Sequence, residues 1–273
     1  MWVMTYVKML LACLFMSFSC VSLSQVADSS VQRQNHQARF VAGEVLTFKL
    51  NYGWFTIGEA FLNISEKLFQ NKSSYHLEIK GGTAGFLEVF AKVDDRWGAY
   101  ISKSNLLPMF SYSDIKEGKY TREDKTYFDQ ETHRIKVEKT KKGIKRPVTY
   151  FDYKGDMYDL MSGYLMLRNI DYSLLKIGDT VRFNAFYDDV FYDFGLVYEG
   201  TEILKTKVGK QRAHKVSPIL PNNQVFTGNH PITAWISADE NQLPLKIEAQ
   251  MFFGTASCVL VAYKNVKYGP DYD

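Results

Sequence analysis

"FKLNYGWFTIGEAFLNI" (residues 48–64) alternates apolar and polar residues, breaks at a knot of glycine and aromatics, and then resumes alternating. Successive side chains of a strand face opposite sides. Leu46, Phe48, Leu50, Tyr52 and Trp54 therefore share one face, with Thr47, Lys49, Asn51 and Gly53 on the other. Ala60, Leu62 and Ile64 resume the apolar face beyond the knot. A period of two over this length specifies strand and excludes helix. The stretch reads as two strands of about a dozen residues joined through residues 53–58. Gly53 and Gly58 are expected to supply backbone angles that other residues avoid, and Trp54 and Phe55 to cover the end of the hairpin.

The same grammar continues outward. Further strands are expected over 74–81, 92–102, 107–116, 119–129, 132–140, 146–152, 180–188, 190–199, 201–208, 212–219, 231–237, 243–253 and 256–267, separated by turn sequences such as "KEGK", "TKKG" and "SADENQ". Connections this short join antiparallel neighbours. The fold class is thus mainly β: a strongly curved antiparallel sheet, barrel or half-barrel like. One segment departs from it. In "GDMYDLMSGYLMLRNID", Met157, Leu160, Met161, Tyr164, Leu165 and Arg168 recur at helical spacing, which predicts an amphipathic helix over 156–169, capped by Asp156 and laid against a sheet face. A shorter helical turn is expected over 84–92.

The two sides of that helix look alike. "GEVLTFKLNY" (43–52) and "GDTVRFNAFY" (178–187) match in glycine, acid, aliphatic, phenylalanine and tyrosine, and "ISKSNLLP" (101–108) resembles "ISADENQLP" (236–244). Gly43 to Leu107 spans 64 residues and Gly178 to Leu243 spans 65. A fixed spacing of this kind is the mark of a duplicated meander, although common strand-and-turn grammar would produce part of the match. The expected organisation is one β-rich domain over 40–268, with halves at 40–153 and 175–268 joined by the helix.

The first residues carry Lys8 and then an uncharged run from Met9 to Val21, ending in Ser22 and Ser24. The run is short of the roughly 20 apolar residues of a membrane span and has the form of a secretory signal peptide over 1–24. Residues 25–39 would follow as a flexible lead-in. The competing reading is an outer-membrane lipoprotein acylated at Cys20, against which Ser17, Phe18 and Ser19 lack the aliphatic residue that such a site wants. Export to the periplasm is the expectation, with no integral membrane span in the mature chain. Cleavage would leave Cys258 as its one cysteine, placed on a strand face as a small buried hydrophobe. The formal charge of +3 is small. The lysine-rich "KTKKGIKR" (139–146) suits a solvated hairpin better than a nucleic-acid footprint.

No motif brings a reaction with it. There is no G-x-S-x-G elbow and no C-x-x-C, and no two of the five histidines stand at the i, i+4 spacing of a helical zinc site. His76 and His214 read as hydrogen-bonded or surface strand residues. Asp94 and Asp95 must face opposite ways, with Asp95 beside Trp97 and Arg96 beside Asp94. Asp188 and Asp189 make a turn, and the calcium-loop pattern is missing there. No catalytic residue, metal or cofactor is expected. What abounds is apolar wall: Trp54, Phe55, Phe86, Phe90, Met161 and Tyr164 are the candidate lining for a lipid or other apolar small molecule.

"FVAGEVLTFKLNYGWFTIGEAFLNI", "AGFLEVFAKVDDRWGAYIS", "LLPMFSYSDIKEGKY", "DLMSGYLMLRNID" and "TAWISADENQLPLKIEAQMFFGTASCVLVAY" together resemble the exported bacterial proteins grouped as domain of unknown function 3108. The similarity runs from about residue 40 to 267. It implies an exported protein of Gram-negative bacteria with no established activity, and carries no catalytic residue with it. More loosely, "WIS" followed by "NQLPLKI" resembles the strand-turn-strand of periplasmic lipoprotein carriers, whose curved sheet holds acyl chains around a helix. That likeness is one of fold, from which function does not follow. The expected function is a non-catalytic envelope protein that binds an apolar or lipid-like ligand in the concave face of its sheet. The alternative is a structural or interaction module with a filled core that meets an envelope protein partner.

Overall fold

A computed structural model of the protein describes residues 38–84, 92–219, 231–252 and 254–269. The expected signal peptide over 1–24, nearly all of the expected lead-in, and the segment 85–91 with Phe86, Phe90 and most of the expected helical turn lie outside the described residues. The first meander holds β1 (Val45–Tyr52), β2 (Phe55–Phe69), β3 (Lys72–Thr83), β4 (Asp94–Ser102), β5 (Pro108–Glu117), β6 (Tyr120–Asp129), β7 (Arg134–Lys141), β8 (Ile144–Lys145) and β9 (Thr149–Asp152). After α1 (Leu160–Asn169) and a 3-10 turn at Tyr172–Leu174 comes the second: β10 (Thr180–Tyr187), β11 (Val190–Thr206), β12 (Gly209–Ile219), β13 (Ile232–Ser237), β14 (Pro244–Met251) and β15 (Gly254–Lys264).

All fifteen strands form one antiparallel sheet ordered β10 to β15, then β1 to β8, with β9 also on β7. The chain's first and last strands thus pair in its middle, Val45 opposite Lys264 and Tyr52 opposite Ala256. Alternation puts Leu46, Leu50, Leu62, Ile64, Leu77, Ala99 and Leu260 on the concave face, each almost fully buried.

The opening hairpin is tighter than its sequence suggests. Phe55 to Gly58 belong to β2, and only Gly53 and Trp54 form the turn, Tyr52 being paired with Phe55. Gly53 adopts φ 57, as expected. Gly58 does not; its role is close approach, since an added Cβ would stand 2.4 Å from the Gly82 carbonyl oxygen. The expected break near residue 200 is a bulge inside one seventeen-residue strand, β11, where the register shifts between Tyr198 and Gly200 and Gly200 takes φ 103.

The two meanders share backbone bonds at both matched motifs. Gly43 and Gly178 have φ 95 and 96. Each donates its N–H across the hairpin, to Ile64 O at 2.7 Å and Tyr198 O at 2.8 Å, and each following acid accepts the reciprocal bond from Ile64 N at 3.0 Å and Tyr198 N at 2.9 Å. In the later motif Ser102 N reaches Leu107 O at 2.9 Å and Ser237 N reaches Leu243 O at 2.8 Å. Both motifs begin at a register shift, before Ile101 and before Ile236.

The helix starts later than its periodicity suggests. Asp159, not Asp156, is its cap: Asp159 Oδ1 accepts Ser162 N at 2.9 Å while Ser162 Oγ accepts Asp159 N at 2.9 Å, a reciprocal capping box. Residues before it are held extended because Tyr158 bridges β10, donating its N–H to Asn184 O at 2.9 Å and accepting from Phe186 N at 2.8 Å. Nor does α1 rest on a face by one stripe. Met161, Ser162, Gly163, Tyr164, Leu165, Met166, Arg168 and Asn169 are all buried, so the helix is enclosed on nearly every side by the curved sheet.

The sheet does not close by backbone pairing. Its free edges meet through side chains: Phe128, Ile135 and Val137 of β6 and β7 pack with Tyr153, Met157 and Phe186, and Phe151 of β9 lies 5.0 Å from the Phe186 ring. The rim of this seam is charged. Arg122 bonds Asp124 and Asp188, while Lys139 reaches Asp188 at 2.9 Å and Asp189 at 2.5 Å. Asp188 and Asp189 are the two-residue turn of the β10–β11 hairpin, at φ 47 and 65.

Candidate functional site

The most heavily bonded group on the concave side is Arg168, in the last turn of α1. Its side chain is 1 % exposed and faces Glu44, which is fully buried just ahead of β1. The two form a bidentate pair, Nη1 to Oε1 and Nη2 to Oε2. The remaining donors reach Tyr164 Oη at 3.3 Å, Arg39 O at 3.1 Å and Asn241 O at 2.9 Å. Around them Gln242 Nε2 donates to Arg168 O at 2.7 Å and Ile170 O at 2.9 Å, satisfying carbonyls that a helix end otherwise leaves open. Burial pushes the Glu44 carboxyl up, and the guanidinium pulls against it. Removing one partner of such a pair costs about 3–5 kcal/mol because the other charge stays buried. The arrangement is structural: it bolts the helix to β1, to the β13–β14 turn and to the chain entering at Arg39. The sequence signal for it was Arg168 itself, a cation in an apolar stripe that must find an acid.

Among the described residues, two clefts lie beside α1. One, of about 50 Å³, lies at the N-terminal end of the helix between β4–β7 and the β10–β11 turn; Trp97, Asp124, Lys139, Met161 and Asp188 are in its wall. Its wall mixes polar and apolar groups; Arg122 and Lys139 bond Asp188, Lys139 bonds one oxygen of Asp189, and the other oxygen, Oδ1, is buried without a hydrogen-bond partner. Burial works against ionisation of Asp188, yet the bonds from Arg122 and Lys139 outweigh it and hold the carboxyl down at about 2. The second, of about 40 Å³, lies between the C-terminal half of α1 and the second meander, lined by Tyr164, Leu167, Phe194, Leu196, Val216 and Ile247. Both fall far below the roughly 300 Å³ at which small-molecule pockets begin.

The expected apolar wall is dispersed. Trp54 and Phe55 stack on each other at 4.1 Å between ring centroids, 87 % and 58 % exposed at the hairpin tip, and border neither cleft. Met161 lines the polar cleft and Tyr164 the apolar one. Asp95 is buried with Trp97 as alternation requires, its Oδ1 accepting Lys116 N at 2.9 Å, whereas Arg96 pairs with Glu78 at 3.8 Å instead of Asp94. His76 is 4 % exposed, bonded through Nε2 to Tyr112 Oη at 3.0 Å. His214 Nδ1 is 3.2 Å from Tyr198 Oη. Burial lowers both imidazoles, His76 to about 4. Cys258 is buried, its thiol pushed up to about 12 by that burial. Among the described residues no group of three or more His, Cys, Asp or Glu side chains is disposed to hold a metal, and no helix is long and apolar enough to cross a membrane.

A strongly curved antiparallel sheet wrapped around one enclosed helix defines a barrel-like protein whose edges are joined by side chains. The chain belongs to the family described as Protein of unknown function (DUF3108), whose model matches residues 47–261. Among solved structures it is similar to a beta-barrel-like protein of a domain of unknown function, DUF1849, from Brucella abortus, at 8 % identity and a TM-score of 0.54, over 83 % of this chain and 99 % of that one. It also matches a candidate lipoprotein from Parabacteroides distasonis at 12 % identity and a TM-score of 0.29, over 85 % of this chain and all of that one. Among curated proteins none matches. The first likeness agrees with the barrel-like architecture; neither brings an activity.

Proposed function

We propose that this chain is an exported, non-catalytic module of the bacterial envelope that acts through its outer surface and not by enclosing a ligand. The observation that carries the reading is the occupied interior: α1 fills the concave side, and the clefts beside it hold about 50 and 40 Å³. In this reading the signal-like residues 1–24 are removed on export, and the lead-in to residue 39 and the folded unit over 40–268 form the processed protein. In the polar cleft Asp188 is held ionised by Arg122 and Lys139, and Asp159 is committed to capping α1, which supports the non-catalytic reading.

A second reading, an acyl chain held between α1 and the second meander, draws support from the apolar wall of the smaller cleft. Each methylene buried there would contribute about 0.8 kcal/mol. Native mass spectrometry of protein recovered from its own host decides between them. The expected result is the mass of the chain alone, with no binding of fluorescent fatty acids. A lipid bound one to one would overturn the surface reading and install the second.

A further inference from the structure

The antiparallel order sorts the turns onto two rims. One rim carries the β1–β2, β5–β6, β7–β8, β10–β11 and β14–β15 turns, and the other carries the β2–β3, β4–β5, β6–β7, β11–β12 and β13–β14 turns. The first rim exposes large aromatics on hairpin tips. Trp54 and Phe55 stand at 87 % and 58 % exposure, and Phe252 at 62 % on the β14–β15 turn. These tips are neighbours, because β15 lies against β1 and Gly53 N bonds Thr255 O at 2.7 Å. On the opposite rim exposed apolar groups are aliphatic, Leu68, Ile177 and Ile203, and among the described residues no Trp or Phe is exposed there.

The aromatic rim is also basic. Lys92, Lys119, Lys142, Lys145 and Arg146 are exposed on it, and the last three flank Ile144 at 61 % exposure. Its acids are largely engaged: Asp114 pairs with Lys116 at 2.8 Å, Asp94 acts on the same lysine, and Asp188 and Asp189 are held by Arg122 and Lys139. The opposite rim has lysines as well, at 205, 207 and 210, but not the aromatic tips. Aromatics flanked by lysine and arginine are what the interfacial layer of a bilayer accepts: the rings settle at the headgroup level and the cations meet anionic headgroups.

We propose that the rim bearing Trp54, Phe55 and Phe252 docks on a phospholipid membrane with anionic headgroups. This rests on the surface reading above and names the surface. The hairpin tips enter the headgroup layer, and the lysine-rich β7–β8 hairpin neutralises phosphate.

The test is co-sedimentation of protein recovered from its own host with vesicles of phosphatidylethanolamine and phosphatidylglycerol, and with vesicles of phosphatidylcholine alone. Binding to the anionic vesicles, weakened by salt, is expected. The triple variant Trp54→Ala, Phe55→Ala, Phe252→Ala should bind at least about tenfold more weakly. The pair Lys142→Glu and Lys145→Glu should lose about fivefold per lysine or more on the anionic vesicles. All five side chains are exposed or on turns, so thermal unfolding midpoints should match the parent and exclude misfolding as the cause. Equal binding to both vesicle types, undiminished binding by the aromatic variant, or no binding at all would overturn the proposal. Such a result leaves the surface reading standing, since that reading fails only on the lipid content measured by mass spectrometry.

Discussion

The turns at 101–108 and 236–244 close with the same serine-to-leucine backbone bond and both carry a residue at positive φ before the leucine, Leu106 at 58 and Gln242 at 47, yet only the second, longer by one residue, bonds the helix. In the first, side chains look after themselves: Ser102 Oγ meets Ser104 Oγ at 2.9 Å and Asn105 Oδ1 accepts Leu107 N at 3.2 Å. In the second, Asp239 takes over that local role, accepting Asn241 N and Gln242 N. This frees Gln242 and the Asn241 carbonyl for Arg168. At the earlier motif the division runs the other way: Glu44 of the first meander is buried against Arg168, while its counterpart Asp179 in the second accepts Lys176 N through Oδ2 at 2.9 Å. A repeated backbone supplies the frame, and a few side chains decide which copy of each motif bonds the helix.

That contrast breaks most readily at the ion pair. Arg168→Ala leaves Glu44 buried without its cation and should cost about 3–5 kcal/mol, whereas Asp179→Ala at the matching position of the other meander should stay within about 1 kcal/mol. Urea unfolding of the two variants measures both; equal losses would mean that the meanders are not divided as described. Next in size is Gln242→Ala, which orphans the Arg168 and Ile170 carbonyls and should cost about 1–3 kcal/mol. Asn105→Ala, the exposed comparison in the first turn, should cost less than about 1 kcal/mol by the same denaturant midpoint.

A further difference, between the parent and a His76→Gln variant, is one of pH. Tyr112 gives its proton to Glu78 Oε2 at 2.7 Å, so neutral His76 must donate through Nε2 to Tyr112. Burial, helped by Lys67 and opposed by Glu78, holds that imidazole at about 4. The folded state therefore resists a proton that the unfolded chain accepts below 6.5, and stability should fall as pH drops from 6.5 to about 4. A proton NMR titration of His76 with a midpoint near 6.5 would dismiss the idea, as would a His76→Gln variant with an unchanged stability slope over that window.

The strands were largely legible because alternation reports which face a residue occupies. The Asp188–Asp189 turn and the burial of Cys258 followed from the same logic, as did the two repeated motifs. Periodicity does not report which distant strand lies alongside, so the β1–β15 pairing was invisible although Asn51 and Ser257 are neighbours. The helix was misjudged at its start and in its setting. Residues 156–158 have helical spacing, but Tyr158 gives both its backbone bonds to β10. The small Ser162 and Gly163 that let α1 be enclosed do not register as an apolar face. Glu44 looked like an ordinary acid at a strand start, since its partner lies 124 residues away. Trp54 and Phe55 stand apart from Met161 and Tyr164 because alternation reports the face a residue occupies and not the end of the sheet it reaches.

The central position of the β1–β15 pair also governs the order in which the sheet can be completed. A chain delivered from its N-terminus can zip β1 to β9 by short hairpins, each closing a small loop. It then holds β1 as a bare edge until β15, the final strand, arrives to cover it. For that interval the middle of the future sheet is its most adhesive part, open to any other strand that meets it. A chain cut short before residue 254 would never leave that state. Its two meanders would remain joined only through α1 and the seam, each presenting a row of unpaired backbone groups where the finished protein has none.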